Sequence, residues 1–423
     1  MTDILITGAK TVEGITGDLL IRDGIFIDPA AVTSKVQRID ADGLIALPGL
    51  VDLHTHLRQP GREDAETIAS GTAAAARGGF TCVHAMANTT PVTDTAEAAE
   101  WIAEVGRNQG LAQVVPVGAV TKGLDGAELA ELGMMARSKA NVRVFSDDGK
   151  CVADSMLMRR ALSYVSSFGG VVAQHSQDPR LAGESACCHE SDFSGRLGLP
   201  GWPSQAESVI VARDVQLAEL TNSRLHVCHV STAESVDVIR WAKARGIQVS
   251  AEVTPHHLLL DTSLVSGYDT VYKVNPPLRT DEHLAAVREA LVDGTIDIVA
   301  TDHAPHAPQD KDHPFDVALS GMLGLEQALA VIIEVMIKTG RLDWAGVAQR
   351  MSYAPARIGQ VAGQGRPIAV GEPANLVLID PSARAVVHKD SSASRSRNNP
   401  YHGQELPNPV VTTIWAGRVT YSL

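Results

Sequence analysis

The sequence predicts an α/β fold, a (β/α)8 TIM barrel that carries a small β-sandwich domain formed by both chain termini. Two observations predict this architecture. Eight short apolar runs alternate with helix-like segments through the middle of the chain, and the segments at both ends read as strands only. We therefore assign residues 51–359 to the barrel and residues 1–50 and 360–423 to one discontinuous β domain.

The terminal segments are strand-like because short apolar and β-branched runs are separated by turn dipeptides. Asp23-Gly24 and Asp42-Gly43 are typical of hairpins, and Ala416-Gly417 separates the last two runs. We expect the two ends of the chain to pair in space. The polar stretch 389–400 is predicted to be a loop of this second domain. The runs are ILITGAKTV, DLLIRDGIFI, GLIALPG, ANLVLID and VVTTIWAGRVTYSL.

The middle of the chain has the alternation of a parallel barrel. Its strand-like runs are almost continuously apolar, which is typical of parallel strands buried on both faces. Glycines at Gly78-Gly79, Gly169-Gly170 and Gly246 stand where the intervening helices should end. The eight runs are LIALPGLVDLH, FTCVHAM, QVVPVGAV, VRVFSD, GGVVAQH, RLHVCHV, QVSAEV and DIVATDH.

Composition excludes several classes of function. The formal net charge of the 423 residues is -13 and no basic cluster stands out, which argues against nucleic acid as a partner. No apolar stretch reaches the length of a membrane span, and MTDILITGAK lacks the pattern of a signal peptide. Five cysteines without a CxxC pair argue against a disulfide framework, so we expect a cytoplasmic protein.

Metal-ligating residue types stand at the ends of the predicted barrel strands. Active residues of such barrels lie at the C-terminal ends of the strands. His54 and His56 are two residues apart in an extended segment, so both rings can face one ion. Because imidazole and carboxylate groups bind zinc and similar divalent ions, the pattern predicts a metal site. The later strands end in Asp147-Asp148, His175, His229 and Asp302-His303.

Other histidines and the cysteines give weaker signals. A single histidine at a strand end is more often an ordinary polar residue, and His84 is the one further residue we keep as a weak candidate. Cys187-Cys188-His189 offers a rival metal site, but adjacent cysteines do not easily face one ion. Cys228 is expected to point away from its neighbour His229. We therefore interpret all five cysteines as structural, and we treat as ordinary the residues His226, His256, His257 and His313.

Several motifs together resemble a known family. The chain is similar to the amidohydrolase superfamily and, within it, to dihydroorotases of the bacterial type that resembles hydantoinases and allantoinases. The HxH and PGLVD patterns are shared across that superfamily, whereas the later motifs are specific. The motifs are PGLVDLHTHLRQPG (48–61), ARGGFTCVHAMANTTP (76–91), HVCHVST (226–232), AEVTPHHLLL (251–260), NPPLR (275–279) and DGTIDIVATDHAPH (293–306).

The resemblance implies a set of site residues. Two Zn²⁺ ions per chain are expected, although other divalent ions would also suit these ligands. His54 and His56 would bind the more buried ion, and His175 and His229 the other. Asp302 would contact the buried ion and shuttle the proton. The implied substrate-binding residues are Arg58, Asn88, Asn275 and, at the substrate carboxylate, His306.

The sequence departs from the family pattern in three places. Many superfamily members bridge the ions with a carboxylated lysine after strand four, where this chain reads FSDDGK. We assign the bridge to Asp148, with Asp147 and Lys150 left open. The chain also reads AMANT where the family more often has MPNT, and AQHSQD where relatives have AHCE. Neither of these two changes removes a ligand.

The resemblance implies a reversible ring closure. N-carbamoyl-L-aspartate would cyclise to L-dihydroorotate and water, a step of pyrimidine biosynthesis. Alternatives are a hydantoinase or allantoinase, and a noncatalytic partner of a transcarbamoylase. Expected partners are the small-molecule substrate and further copies of the chain in a homo-oligomer such as a dimer, with aspartate transcarbamoylase as an additional candidate. The segment 309–321 is a candidate lid, with Gly321 as its hinge.

Overall fold

The computed structural model describes residues 3–423, in which strands and helices alternate. The strands are β1 Asp3–Thr11, β2 Thr16–Arg22, β3 Ile25–Ile27, β4 Val36–Asp40, β5 Ile45–Pro48, β6 Leu50–Thr55, β7 Phe80–Ala85, β8 Gln113–Pro116, β9 Val144–Phe145, β10 Val171–Gln174, β11 Cys188–His189, β12 Gly201–Trp202, β13 Leu225–Val227, β14 Val249–Val253, β15 Ile298–Val299, β16 Leu376–Ile379, β17 Arg384–Val386, β18 Glu405–Pro407, β19 Val410–Trp415 and β20 Arg418–Ser422.

The helices begin and end where local sequence favours it. Thr95 accepts a hydrogen bond from the Ala98 amide at the start of the second helix, and Gly110 ends it with φ +69°. The helices are α1 Ile68–Arg77, α2 Ala96–Gln109, α3 Leu132–Arg137, α4 Ser155–Ser166, α5 Pro179–Ala182, α6 Asp192–Leu197, α7 Gln205–Thr221, α8 Ala233–Ala244, α9 Pro255–Leu259, α10 Asp281–Asp293, α11 Pro308–Lys311, α12 Ala328–Ile332, α13 Trp344–Ala348 and α14 Ala354–Gly359. None of them, within residues 3–423, is long and apolar enough to cross a bilayer.

Eight parallel strands close into the predicted barrel. Hydrogen bonds join β6, β7 and β8 in one group and β9, β10, β13, β14 and β15 in another. A bridge between Gly118 and Phe145 connects the two groups, and a bridge between Thr55 and His303 closes the ring. The fold-class prediction is therefore confirmed. All eight strand ends meet at one rim, as the site prediction requires.

Strands from both termini form one sheet beside the barrel. Its order is β20-β19-β16-β5-β1-β2-β3, and β4 also pairs with β1. Strand β1 branches, because residues 3–7 pair with β4 whereas residues 10 and 11 pair with β5. The sheet encloses its own apolar cluster, which includes Ile6, Phe26 and Leu376. Only Gly49 separates β5 from β6, so the sheet is tied directly to the first barrel strand.

The segment 389–400 lies between β17 and β18 and forms no strand, and it also reaches the barrel. It contacts the catalytic rim of the barrel. The Arg395 amide donates to Glu66 at 3.0 Å, and the Asn398 side chain donates to the Ala304 carbonyl at 2.9 Å. The physical reason is hydrogen bonding. Rim loops contain buried carbonyl and carboxylate groups that need donors, and this Ser- and Asn-rich segment supplies them.

Candidate active site

Asp148 stands at the centre of the site. Its carboxylate oxygens lie 3.3 Å from Nε2 of His54, His56 and His229. The distance to Nδ1 of His175 is 3.4 Å. The carboxylate therefore contacts all four imidazoles, although they come from three different strands. All of these side chains are buried.

Asp302 completes this cluster from the loop that follows β15, the eighth strand of the barrel. Its Oδ1 lies 3.1 Å from His56 Nε2 and 3.5 Å from His54 Nε2. Burial alone would raise the pKa of Asp302, but the surrounding histidines outweigh burial and lower it. The pKa of Asp148 is also lowered well below its ordinary value, because the same histidines outweigh its burial. Both carboxylates are therefore ionised and able to bind cations.

Two groups of ligand atoms fit divalent ions and share one residue. His54, His56 and Asp148 form one group, and Asp148, His175 and His229 form the other, with ligand atoms within 4.8 Å of one another in each. Nε2 of His54 is buried and has no hydrogen-bond partner. Buried polar atoms normally have a partner, and a metal ion would supply one here. The donor set is nitrogen and carboxylate oxygen, which suits zinc.

The two alternatives to Asp148 lie outside the cluster. Asp147 accepts hydrogen bonds from the amides of Val120 and Thr121 at 2.8 and 3.0 Å, and from the Thr121 hydroxyl. Lys150 is exposed to solvent. Asp147 therefore holds the loop after β8, the third strand of the barrel, whereas Asp148 faces the histidines.

The predicted substrate residues line a cavity of about 200 Å³ beside the cluster. Arg58 has φ +59°, donates from Nε to the Pro305 carbonyl at 3.0 Å and is buried enough to lower its pKa to about 10. It thus remains charged at neutral pH. Asn275 presents a buried Oδ1 that has no hydrogen-bond partner. The lining residues are His56, Arg58, Asn88, Asp148, Gly149, His175, Asn275, Asp302, Ala304, His306, Leu319, Ser320 and Gly321.

Asn88 and His306 have additional contacts. The Oδ1 of Asn88 lies 2.9 Å from Nδ1 of His56 and so fixes that ring. Nε2 of His306 lies 2.8 Å from the Ser320 carbonyl, which leaves Nδ1 buried without a partner. Burial and the charge of Arg58 lower the pKa of His306, so its ring is neutral. A Cβ at Gly321 would lie 2.7 Å from this ring, so close approach to His306 requires glycine here.

Sequence reasoning missed the residues that orient the ligands. Glu252 on β14 lies 2.6 Å from Nδ1 of His54, and its other oxygen lies 2.9 Å from Nε2 of His226. Gln177 lies 2.9 Å from Nε2 of His175. Such partners fix the tautomer and orientation of a metal-binding ring. The only available signal was a buried carboxylate within the apolar run QVSAEV.

The weak candidate His84 and the structural residue Cys228 also have defined positions. His84 contacts the Asp52 carbonyl at 2.9 Å and packs against Gly359, and no contact joins it to Asp148. Cys228 was expected to point away from the site, and this expectation is wrong. Its Sγ lies within 4.8 Å of the ligand atoms of His54 and Glu252. Strand β13 ends at Val227, so the alternation on which the expectation rested does not extend to Cys228.

Comparisons with known proteins show the family of this chain. The family described as "Dihydro-orotase-like" matches residues 43–235. The chain is 57% identical to the dihydroorotase of Streptomyces coelicolor over 99% of this chain and 98% of that protein. It is 50% identical to the dihydroorotase of Mycobacterium tuberculosis, again over 99% and 98%. The structure of the L-hydantoinase of Arthrobacter aurescens shares the fold, with a TM-score of 0.85 at 22% identity, over 100% of this chain and 96% of that one. With such identities along nearly its whole length, the chain belongs to the dihydroorotase family.

Proposed function

We propose that this chain is a dihydroorotase that interconverts N-carbamoyl-L-aspartate and L-dihydroorotate in pyrimidine biosynthesis. The observation that carries the proposal is the position of Asp148, which meets four imidazoles at the wall of a cavity that also contains Arg58 and Asn275. Relatives of this chain that are 57 and 50% identical are named dihydroorotase. The enzyme would act as a zinc-dependent cyclic amide hydrolase in the cytoplasm.

The proposed cofactor is a pair of Zn²⁺ ions. His54, His56 and Asp302 would hold the more buried ion, His175 and His229 would hold the second, and Asp148 would bridge them. Divalent ions at such positions lower the pKa of a water molecule to about 7 and polarise a carbonyl oxygen. Four imidazoles and two carboxylates supply enough ligands for two ions.

Asp302 is the proposed general acid and base. In hydrolysis it takes the proton of the attacking water and delivers it to the ring nitrogen as the C–N bond breaks. In ring closure it takes a proton from the ureido nitrogen as the N–C bond forms, and it delivers this proton to the oxygen whose C–O bond breaks, which leaves as water with a second proton from solvent. Its Oδ1 lies 3.1 Å from Nε2 of His56, at the wall of the cavity, which is where a group that exchanges protons with a bound substrate would have to stand.

The proposed substrate is an anion, and the cavity supplies the matching charge. The planar guanidinium of Arg58 suits a two-pronged contact with the substrate carboxylate. Asn88 and Asn275 would hold the polar edges of the ring. His306 would join the carboxylate contact after it releases the Ser320 carbonyl, with which it is paired at 2.8 Å.

Assays with dihydroorotate, hydantoin and allantoin test the proposal. We expect turnover of dihydroorotate and a severe loss of it in Arg58→Ala, with partial rescue in Arg58→Lys. Losing the partner of a buried charge costs on the order of 2–5 kcal/mol. Any hydrolysis of uncharged hydantoin should suffer far less. Equal losses on both substrates would show that Arg58 supports the fold, and a preference for hydantoin would favour the alternative enzyme.

The proton role has a separate control. Asp302→Asn keeps the size of the side chain but removes the proton acceptor, so kcat should fall by at least ~10²-fold. Metal analysis of this variant distinguishes a lost base from a lost ligand. A homo-oligomer and an association with aspartate transcarbamoylase stay predictions, which light scattering with and without that enzyme would check.

A further inference from the structure

The largest fully buried side chain among residues 3–423 is a charged one, Arg279. Its Nε donates to the Ser231 hydroxyl at 3.1 Å, and its Nη1 lies 3.0 Å from Nδ1 of His189. Nη2 makes no hydrogen bond and lies 4.0 Å from the buried carboxylate of Glu207, so the link to Glu207 is electrostatic and passes through the Ser231 hydroxyl that both side chains contact. A guanidinium without access to water is costly unless charged and polar partners surround it. The reaction described above assigns no role to this group.

Glu207 fixes the backbone immediately after His229. It accepts hydrogen bonds from the amides of Ser231 and Thr232 at 3.2 Å, and from their hydroxyls at 2.5 and 2.9 Å. His229 itself has φ +34°, a conformation that only surrounding contacts can enforce on a non-glycine residue. The carboxylate on α7 therefore constrains the turn that aims the His229 ring at Asp148.

Arg279 connects this turn to the substrate side of the cavity. It follows Asn275 by four residues in the NPPLR segment, and its carbonyl accepts the Thr262 amide at 2.9 Å. One side chain thus spans the segment of Asn275 and the turn after His229. We propose that Arg279, paired with Glu207, is a positioning residue that sets His229 and Asn275 relative to each other. Only the part of this inference that concerns Asn275 rests on the proposed function, because Asn275 is a proposed substrate-binding residue.

The electrostatics support the pairing. Burial lowers the pKa of Arg279 to about 10, so it stays charged at neutral pH. Burial and the charge of Arg279 lower the pKa of His189 to about 4, so His189 is neutral and its Nδ1 can accept the hydrogen bond. An ammonium group in place of the guanidinium could not reach Ser231, His189 and Glu207 together, because it lacks the planar fork.

The test compares variants of the whole chain with a matched control. Three variants alter the pair: Arg279→Gln, Arg279→Lys and Ser231→Ala. Ser231→Ala is the mildest change, and it keeps the test usable if the two Arg279 variants fold poorly. Arg224→Gln is the control. Arg224 is a partly buried arginine that stands just before β13, at the end of the strand that is remote from the site. Its side chain donates to the carbonyls of Gly169 and Ile358. The readouts are kcat and KM for dihydroorotate, Zn²⁺ affinity by chelator competition, and thermal unfolding.

We expect Arg279→Gln to lower both kcat/KM and Zn²⁺ affinity about 10- to 100-fold, as for other residues that orient ligands. Ser231→Ala should lose less, Arg279→Lys should recover only part, and Arg224→Gln should lower only the unfolding temperature. If Arg279→Gln and Ser231→Ala match Arg224→Gln in turnover and Zn²⁺ affinity, the inference is overturned. If the unaltered protein does not turn over dihydroorotate, the proposed function fails, and the Zn²⁺ affinities still decide whether Arg279 positions His229.

Discussion

At the scale of single residues, Asp148 and its neighbour Asp147 perform different tasks. Asp148 contacts the four imidazoles, whereas Asp147 accepts hydrogen bonds from residues 120 and 121. We expect Asp148→Ala to remove both proposed ions, because the two ligand groups share this carboxylate. Asp147→Ala should lower thermal stability and keep most of the metal. Inductively coupled plasma mass spectrometry measures metal per chain, and Lys150→Ala serves as the control with no expected change.

A modified Lys150, or equal metal loss in the Asp147 and Asp148 variants, would contradict this assignment. Lys150 is exposed, so Lys150→Ala shows whether any substitution in this loop changes the metal content per chain. The Asp147 variant can affect metal only through the loop that it holds. A difference between the two aspartate variants therefore reports which carboxylate faces the ions.

The two proposed metal positions differ in the partners of their histidines. His54 pairs with the carboxylate of Glu252 at 2.6 Å, whereas His175 pairs with the neutral amide of Gln177 at 2.9 Å. A carboxylate partner makes an imidazole a stronger ligand. We expect Gln177→Glu to tighten Zn²⁺ at the His175 position about 10-fold and Gln177→Leu to weaken it by a similar factor. Titration of apoprotein with Zn²⁺ resolves the weaker site, and unchanged affinity in both variants would refute the prediction.

At the scale of elements, Lys311 at the end of α11 joins two loop segments, residues 270–273 and the loop of Leu319. Its ammonium donates to the carbonyls of Leu319, Thr270 and Lys273 at 2.8, 3.0 and 3.2 Å. Leu319 lines the cavity, and the segment of Lys273 leads to Asn275. Burial and the charge of Lys273 lower the pKa of Lys311 to about 7, and Asp269 and Asp310 oppose this only in part. The segment 309–321 remains a predicted lid.

This shift predicts a pH dependence of stability. An unfolded Lys311 has an ordinary pKa of 10.5. Between these two values the unfolded chain binds more protons than the folded chain, so the contribution of Lys311 to stability rises with pH. The free energy of unfolding of the wild-type protein, minus that of Lys311→Met, should therefore increase from pH 7 to about pH 10. Urea unfolding of both proteins measures it, and parallel pH profiles would argue that Lys311 titrates normally.

At the scale of the whole molecule, part of the terminal sheet belongs to the apolar core of the barrel, in addition to the separate cluster that the sheet encloses. Ile45, Leu47, Val377 and Ile379 of the sheet belong to the same cluster of buried residues as Leu50 and Phe80 of the barrel. We expect a single cooperative unfolding transition. Ions that bind only the folded chain add stability, so a chelator should lower the unfolding temperature without splitting the transition. Calorimetry with and without chelator checks this, and two separate transitions would show that the sheet unfolds independently.

The sequence by itself determined the barrel and the main histidines. Strand and helix periods are local properties, and parallel strands in a barrel bring their C-terminal ends to one rim. His54, His56, His175, His229 and Asp302 therefore converge once the strands are recognised. The family motifs added Arg58, Asn88, Asn275 and His306, which all line the cavity.

Only the tertiary structure decided which aspartate faces the four histidines and which side chains orient those histidines. Asp147 and Asp148 are adjacent in a loop, where no period fixes the direction of a side chain. His54 and Glu252 are 198 residues apart in the sequence, and Arg279 reaches Ser231 across 48. The contacts of segment 389–400 are equally remote from the loops that it covers. Buried polar groups must find partners wherever packing brings them, so these pairings depend on the fold as a whole.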